Sequence, residues 1–337
     1  MLRLIGILLT IAAAIGAAIV TWPQFFRLEQ TFPFAQVVSL RPLVAAGFVV
    51  LAIVGLLLCL ARRTRGFGAG IAMIALLAVI ANAGILAFRG LGDADLPEAT
   101  ADSIRVMTWN TAGEATDVDA IVKTAIAMDV DIVALPETNA DTGKAVAVAM
   151  GERGNPMWVH DEDFRGWDAN WTTVLISPDL GDYAVVASTS QGTTNTSIVP
   201  SVVAMPVSGD GPVVVAAHAV APRPGDMAAW RSDLRWLADQ CAADDVIMAG
   251  DFNATLDHMA RLGVDGGDLG RCHDAAADTG NGAVGTWDTA WPAQLGAPID
   301  HVMTTDAWTA TGSVVVTSLD GTASDHRPMV VQLEPAN

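Results

Sequence analysis

Several polar side chains stand directly at the ends of apolar runs, and their types suit one kind of chemistry. Asn110 ends the run 104–109, Glu137 follows the apolar stretch 132–136, and His218 ends the run 213–217. Asp251 and Asn253 come after 246–250, Asp300 opens a run ending at 304, and Asp325 with His326 precedes the run 329–333. One charged residue at a strand end is ordinarily a solvated edge. Gathered in one place, these carboxylates, amides and imidazoles would bind a hard divalent cation and move protons. Oxygen donors select Mg²⁺, or Mn²⁺ or Ca²⁺, over zinc, and the three cysteines form no cluster with histidines. No Ser or Cys occupies an activated-nucleophile motif, which points to direct attack by water. A phosphoester is anionic and repels hydroxide, so its hydrolysis needs this inventory: a cation, a base and donors that tighten as charge moves.

The ordered set Thr-Trp-Asn110, Leu-Pro-Glu137-Thr, His218, Gly-Asp251-Phe-Asn253, Pro-Ile-Asp300-His and Ser-Asp325-His326-Arg-Pro resembles the endonuclease/exonuclease/phosphatase superfamily. That group includes DNase I, abasic-site endonucleases, inositol polyphosphate 5-phosphatases and neutral sphingomyelinases. The resemblance spans 104–333 and implies a four-layer α/β sandwich of the DNase I type, with the site where two sheets meet. It implies Glu137 as principal metal ligand, helped by Asn110 and Asp325, with Mg²⁺ as the expected cofactor. It further implies that Asp300 holds His326 in one orientation, so that His326 contacts the phosphate or acts as base. Asp251 would orient or deprotonate the attacking water, Asn253 would hydrogen-bond the phosphate, and His218 would face the leaving group. Pro136 departs from the pattern, since many members carry Gln before the metal-binding Glu; the ligand itself is retained.

Strands must position these residues. Runs rich in β-branched residues at 104–109, 132–135, 172–177, 183–189, 197–207, 213–218, 246–249, 301–304, 313–317 and 329–333 predict ten strands, enough for two sheets. Helical spacing predicts helices at 118–128, 139–150 and 226–240. In the last, Asp226 reads as the N-cap, and Met227, Trp230, Leu234 and Leu237 form an apolar stripe, which makes Trp230 core. His301 follows Asp300 along a strand, points to the opposite face and reads as structural. His160, His258 and His273 read as surface or packing residues, and Arg327 as a residue that pins its loop. The stretch 158–171, with aromatics among acids, reads as a packed surface loop or as a substrate- or membrane-facing rim. Trp287 and Trp291 are placed to wall the site.

The rest of the chain is different material. Residues 1–92 carry seven Lys/Arg and one acid, Glu29, whereas 93–337 carry 11 basic against 36 acidic residues, a formal net charge of −25. Uncharged runs of 23, 20 and 23 residues lie between Arg3 and Arg27, Arg41 and Arg62, and Arg65 and Arg89. Each is long enough to cross a bilayer. The domain organisation expected is thus a three-span anchor at 1–92, a tether at 93–103 and a catalytic domain at 104–337. The tribasic loop Arg62, Arg63, Arg65 and Arg3 put their side in the cytoplasm, against Arg27 and Arg41 in the outward loop. The catalytic domain is then extracytoplasmic, in a multi-pass protein of the cell membrane. Cys59 reads as mid-span packing; whether Cys241 and Cys272 pair is open on spacing alone.

A nucleic-acid track needs clustered cations, which so acidic a domain has few of. The expected function is therefore metal-dependent hydrolysis of a lipid headgroup or small phosphoester, ahead of an extracellular nuclease. A catalytically silent binding domain would be expected to have lost Glu137, Asp251, Asp300 or His326, and all four are present.

Overall fold

The computed structural model describes residues 2–92, 95–164, 168–186, 194–321 and 324–336. Part of the expected tether, of the run 183–189 and of the stretch 158–171 lies outside the described residues. The chain forms two compact units, Met1–Arg89 and Gly90–Asn337.

The first unit is helical: α1 (Leu2–Thr21), α2 (Phe34–Ser39), α3 (Arg41–Leu58) and α4 (Arg65–Arg89). Helices α1, α3 and α4 are each long and apolar enough to cross a membrane. Small residues let α3 and α4 touch along their backbones: a Cβ on Gly68 would stand 2.5 Å from Gly55 O, and one on Gly55 2.6 Å from Ala72 N. A polar knot joins all three long helices. The Arg41 guanidinium, 3% exposed, donates from Nη1 to Asn82 Oδ1 (2.7 Å) on α4 and to Thr21 O (3.0 Å) at the end of α1. Arg41 is thus inside the bundle rather than in an outward loop. Cys59 is not mid-span; it is the C-cap of α3, with Sγ against Gly55 O (3.3 Å).

The second unit runs β1 (Ile104–Thr108), α5 (Val118–Ala127), β2 (Ile132–Pro136), α6 (Ala140–Gly151), β3 (Trp158–Asp163), β4 (Trp171–Ile176), β5 (Tyr183–Val185), β6 (Val202–Pro206) and β7 (Val213–His218). It continues α7 (Met227–Gln240), β8 (Val246–Asp251), α8 (Leu256–Met259), β9 (His273–Asp274), α9 (Ala275–Asp278), β10 (Asp300–Thr304), β11 (Trp308–Val315) and β12 (Met329–Pro335). Two six-stranded sheets result, ordered β11-β12-β1-β2-β4-β3 and β5-β6-β7-β8-β10-β9. Among the described strands only β1 with β2 and β7 with β8 pair in parallel. Each such pair is linked by a helix, α5 or α7, because parallel neighbours need a crossover.

Strand alternation assigns the layers. Ile132 and Ala134 face the second sheet, in a core with Val214, Ala216, Ile247 and Ala249. Val133 and Leu135 face the helical layer, with Ile121 and Val122 of α5 and Val146 and Met150 of α6. Burial on both faces is why 132–135 is a continuous apolar run. On the other side α7 buries Met227, Trp230, Leu234 and Leu237, the stripe expected from its spacing. This is the DNase I-like α/β sandwich.

The local differences have local causes. The stretch 158–171 is not all loop: β3 is an edge strand whose Asp161, Glu162 and Asp163 are the charges that discourage further pairing. Residues 197–201 turn rather than extend, because Asn195 Oδ1 accepts from the backbones of Thr196 (2.7 Å) and Ser201 (3.0 Å). Asp226 is the N-cap of α7 but makes no side-chain capping bond. Cys241 and Cys272 form a disulfide that closes 31 residues and ties the end of α7 to the segment before β9.

Candidate active site

Parallel strands and their antiparallel neighbours end together at one rim. Asp251, last in β8, lies opposite His218, last in β7, and opposite Asp300, first in β10. Asn110 and Glu137 follow β1 and β2 of the first sheet, and His326 precedes β12, the antiparallel neighbour of β1. All eight expected residues except Asp325 converge through direct side-chain contacts. The β7–β8 pairing beside Asp251 needs glycine: at Gly250, φ is +157° and a Cβ would overlap Ala217 O. Glu137 (φ +57°) and Asn253 (φ +48°) adopt left-handed backbone, a local strain held by the surrounding sheet ends.

Asp251 is the hub. Its Oδ1 accepts from Asn253 N (2.7 Å), and its Oδ2 from Asn253 Nδ2 (3.0 Å) and Asn110 Nδ2 (3.0 Å). Asn110 Nδ2 also donates to Glu137 Oε1 (3.1 Å), while its Oδ1 accepts from Ala112 N. Asn110 therefore turns a donor, not an oxygen ligand, toward the carboxylates. Asn253 is steadied further by Nδ2 donating to Ala219 O (2.9 Å) and by Trp230 Nε1 donating to its carbonyl (3.1 Å). Trp230 is thus core with one polar duty at the site.

His326 Nδ1 bonds Asp300 Oδ2 (2.8 Å), and its Nε2 lies 3.9 Å from Asp251 Oδ2. Burial alone would pull the His326 pKa down, but Asp300 and Asp251 push it up to about 10. It is an imidazolium at neutral pH. Burial and then the Asp300 carboxylate push Asp251 up to about 7, against the pull of His326 and of the Asn253 and Asn110 hydrogen bonds. Burial and then His326 push His218 down to about 3, so it is neutral. Thr172 Oγ1 gives its one proton to Pro200 O (2.6 Å), and so accepts from His218 Nδ1 (3.3 Å). His218 Nε2 then carries a lone pair, 3.9 Å from Glu137 Oε1. In this tautomer it can serve the leaving-group side only through a water or substrate hydroxyl that donates to it.

Asp325 is exposed and accepts from Trp287 Nε1 (2.9 Å), so of the two tryptophans expected to wall the site Trp287 adjoins an expected ligand, while Trp291 is half exposed. Arg327 is fully buried and holds the loop carrying both. It donates to Asp320 from Nε (2.8 Å) and Nη2 (2.7 Å), to Gly285 O (3.0 Å) and to Trp291 O (2.6 Å). Removing it strands buried acceptors, so Arg327→Ala is expected to cost roughly 3–5 kcal/mol. Thermal unfolding should show a fall in Tm on the order of 10 °C; an unchanged Tm would contradict this anchoring.

Two buried histidines have partners that the sequence did not show. His301 pairs with Asp274 and bonds Ala254 O through Nε2 (2.8 Å), on the face of β10 opposite Asp300. His258 is buried, its Nδ1 accepting from Thr255 N (2.8 Å) in a capping box at α8. A histidine three residues after a threonine was a readable capping signal; the Asp274 pairing depends on β9–β10 register and was not. His273, by contrast, lies at the surface beside Asp306.

Among the described residues one group of donors could hold a metal ion. Asp251, Asp300 and His326 bring ligand atoms within 4.8 Å of one another. Glu137 lies outside that group; its side chain is 27% exposed and offers carboxylate oxygens, hard donors of the kind divalent cations take.

The profile described as the endonuclease/exonuclease/phosphatase family matches residues 107–326. The chain belongs to this family. Its members are typically metal-dependent hydrolases of phosphoesters. No curated protein matches the chain in sequence. Among solved structures, an endonuclease/exonuclease/phosphatase from Beutenbergia cavernae DSM 12333 is similar at 20% identity, with TM-score 0.53, over 70% of this chain and 72% of that one. A humanized TDP2 of D. rerio is similar at 14% identity, TM-score 0.53, over 69% of this chain and 100% of that one. D. rerio TDP2 complexed with single strand DNA product aligns at 16% identity, TM-score 0.52, over 69% and 99%. At these identities the likeness is one of fold.

Proposed function

We propose that this family member is a membrane-anchored, extracytoplasmic, metal-dependent phosphoesterase that attacks its substrate directly with water. The observation that carries this is the convergence of Asn110, Glu137, His218, Asp251, Asn253, Asp300 and His326 from the strand ends of both sheets.

Asp251, poised near neutrality, takes the proton of the attacking water. Asn110 and the Asn253 backbone fix its carboxylate. The His326 imidazolium, oriented by Asp300, donates to a phosphate oxygen rather than acting as base, because a group titrating near 10 gives up its proton only above neutral pH. Glu137 would hold the divalent cation, with Asp325 contributing from the far side. When bound, such a cation neutralises charge on the phosphate oxygens.

Anchoring is supported by the three long apolar helices, and the outward orientation by charge. Arg62 and Arg63 in the α3–α4 connection and Arg65 at the start of α4 are exposed; of the two positives that oppose them, Arg27 is exposed and Arg41 is buried, which leaves three exposed against one. The Cys241–Cys272 disulfide fits an oxidising compartment. An alkaline phosphatase reporter fused after residue 100 is expected to be active, which requires export; a cytoplasm-only reporter working at that position would reverse the topology.

The net charge of −25 on residues 93–337 favours a lipid headgroup or small phosphoester over a nucleic acid. The nuclease reading has one specific support, the single strand DNA product in the TDP2 neighbour. The full chain assayed with Mg²⁺ against single- and double-stranded DNA, RNA, sphingomyelin, glycerophospholipids and inositol phosphates is expected to prefer one of the last three classes. Faster cleavage of DNA or RNA would replace this reading with the nuclease.

A further inference from the structure

The helical unit contains a groove that neither catalysis nor helix packing uses. About 860 Å³ in volume, it runs between α1 and α4, with Gly6, Ile7, Ile11 and Phe67 among its walls and Arg62 and Arg63 of the α3–α4 connection in its lining. That volume is in the range of small-molecule sites. Its far side closes where α1 meets α4 at Thr10 and Gly70, a Cβ on Gly70 lying 3.0 Å from Thr10 Cγ2. Nearer the arginines the glycines behave differently. A Cβ on Gly6 or on Gly66 would meet nothing within 4 Å, so no helix contact requires glycine there. Their effect is to leave the groove open.

The lining is chemically two-sided. Thr10 Oγ1 donates to Gly6 O of its own helix (2.9 Å), which leaves the walls effectively apolar. Among the described residues the charged groups of the lining are the two arginines, both exposed, and none of these lining residues is an acid. Among the described residues neither guanidinium has a hydrogen-bond or ion-pair partner. Apolar walls ending in paired guanidinium groups match an acyl chain attached to a phosphate. A zwitterionic head would bring a cation that finds no carboxylate in this lining.

We propose that the groove binds one anionic glycerophospholipid, its phosphate on Arg62 and Arg63 and an acyl chain along Ile7, Ile11 and Phe67. This rests on α1, α3 and α4 being membrane spans and not on hydrolytic activity. The test is native mass spectrometry of the full chain in neutral maltoside micelles with EDTA, titrated with dioleoylphosphatidylglycerol or dioleoylphosphatidylcholine. One phosphatidylglycerol per chain is expected, half-saturating at on the order of ten- to thirty-fold lower concentration than phosphatidylcholine. Arg62→Gln with Arg63→Gln should abolish that preference, and Gly66→Leu should fill the groove and lower occupancy by both lipids. Equal binding of the two lipids by the parent, or a preference that survives the double arginine variant, overturns the site. If carbonate extraction strips the chain from membranes, the spans and this site fall together. If the preference holds in a chain that hydrolyses no phosphoester, the lipid site stands and the enzymatic reading falls.

Discussion

Asp251→Asn is expected to lower kcat for phosphoester hydrolysis by roughly 10²–10⁴-fold, the range a general base contributes, with KM little changed. The amide keeps the shape and can still accept from Asn253 N, so the loop after β8 should stay in place. The pH profile separates base from scaffold. Asp251 works deprotonated and its pKa is pushed up to about 7, so the parent rate should rise as pH passes through about 7. His326 works protonated and titrates at about 10, so the rate should fall above that. The Asn variant should lose the acid limb and keep the basic one. An acid limb that persists in Asp251→Asn would move the base elsewhere.

The second large effect is shared between Asp300 and His326. If the carboxylate acts only by orienting and charging the imidazole, removing either disables one step, and the double variant should be little worse than the worse single variant. Independent roles would multiply the losses instead. Asp300→Asn should also move both limbs of the profile to lower pH. Asp300 raises His326, so its loss lowers the basic limb; it raises Asp251 as well, so its loss lowers the acid limb. His326→Ala should do the reverse to the acid limb, because the imidazolium holds Asp251 down. Rate against pH for the parent, both single variants and the double decides between these cases. An unmoved profile with a lower Tm would reduce Asp300 to a strand cap.

Much of this site was legible because strand ends are legible. A polar residue that closes an apolar run lies at a sheet rim, and the parallel pairs β1–β2 and β7–β8 bring four such ends together. What the sequence could not give was orientation. Asn110 has the right place, but which end of its amide faces Glu137 depends on Ala112 N taking the oxygen. His218 has the right place too, yet its tautomer is set by Thr172 and Pro200, residues distant in the chain. Asp325 was expected among the ligands; that its Oδ2 also accepts from Trp287, in a loop that Arg327 holds, could not be read from spacing. Strand β3 escaped notice because an edge strand carries few apolar residues, and β9 because two residues leave no period to read.

The central claim is a metal-dependent phosphoesterase centred on Glu137, and a Mg²⁺ titration of hydrolysis by the full chain tests it most directly. The parent should be inactive in EDTA and recover with added Mg²⁺. Glu137→Gln keeps size and shape but removes the charge, so it should need a far higher Mg²⁺ concentration and stay slower at saturation, with its Tm unchanged. Hydrolysis in EDTA, or Glu137→Gln as fast as the parent at limiting Mg²⁺, would contradict the claim.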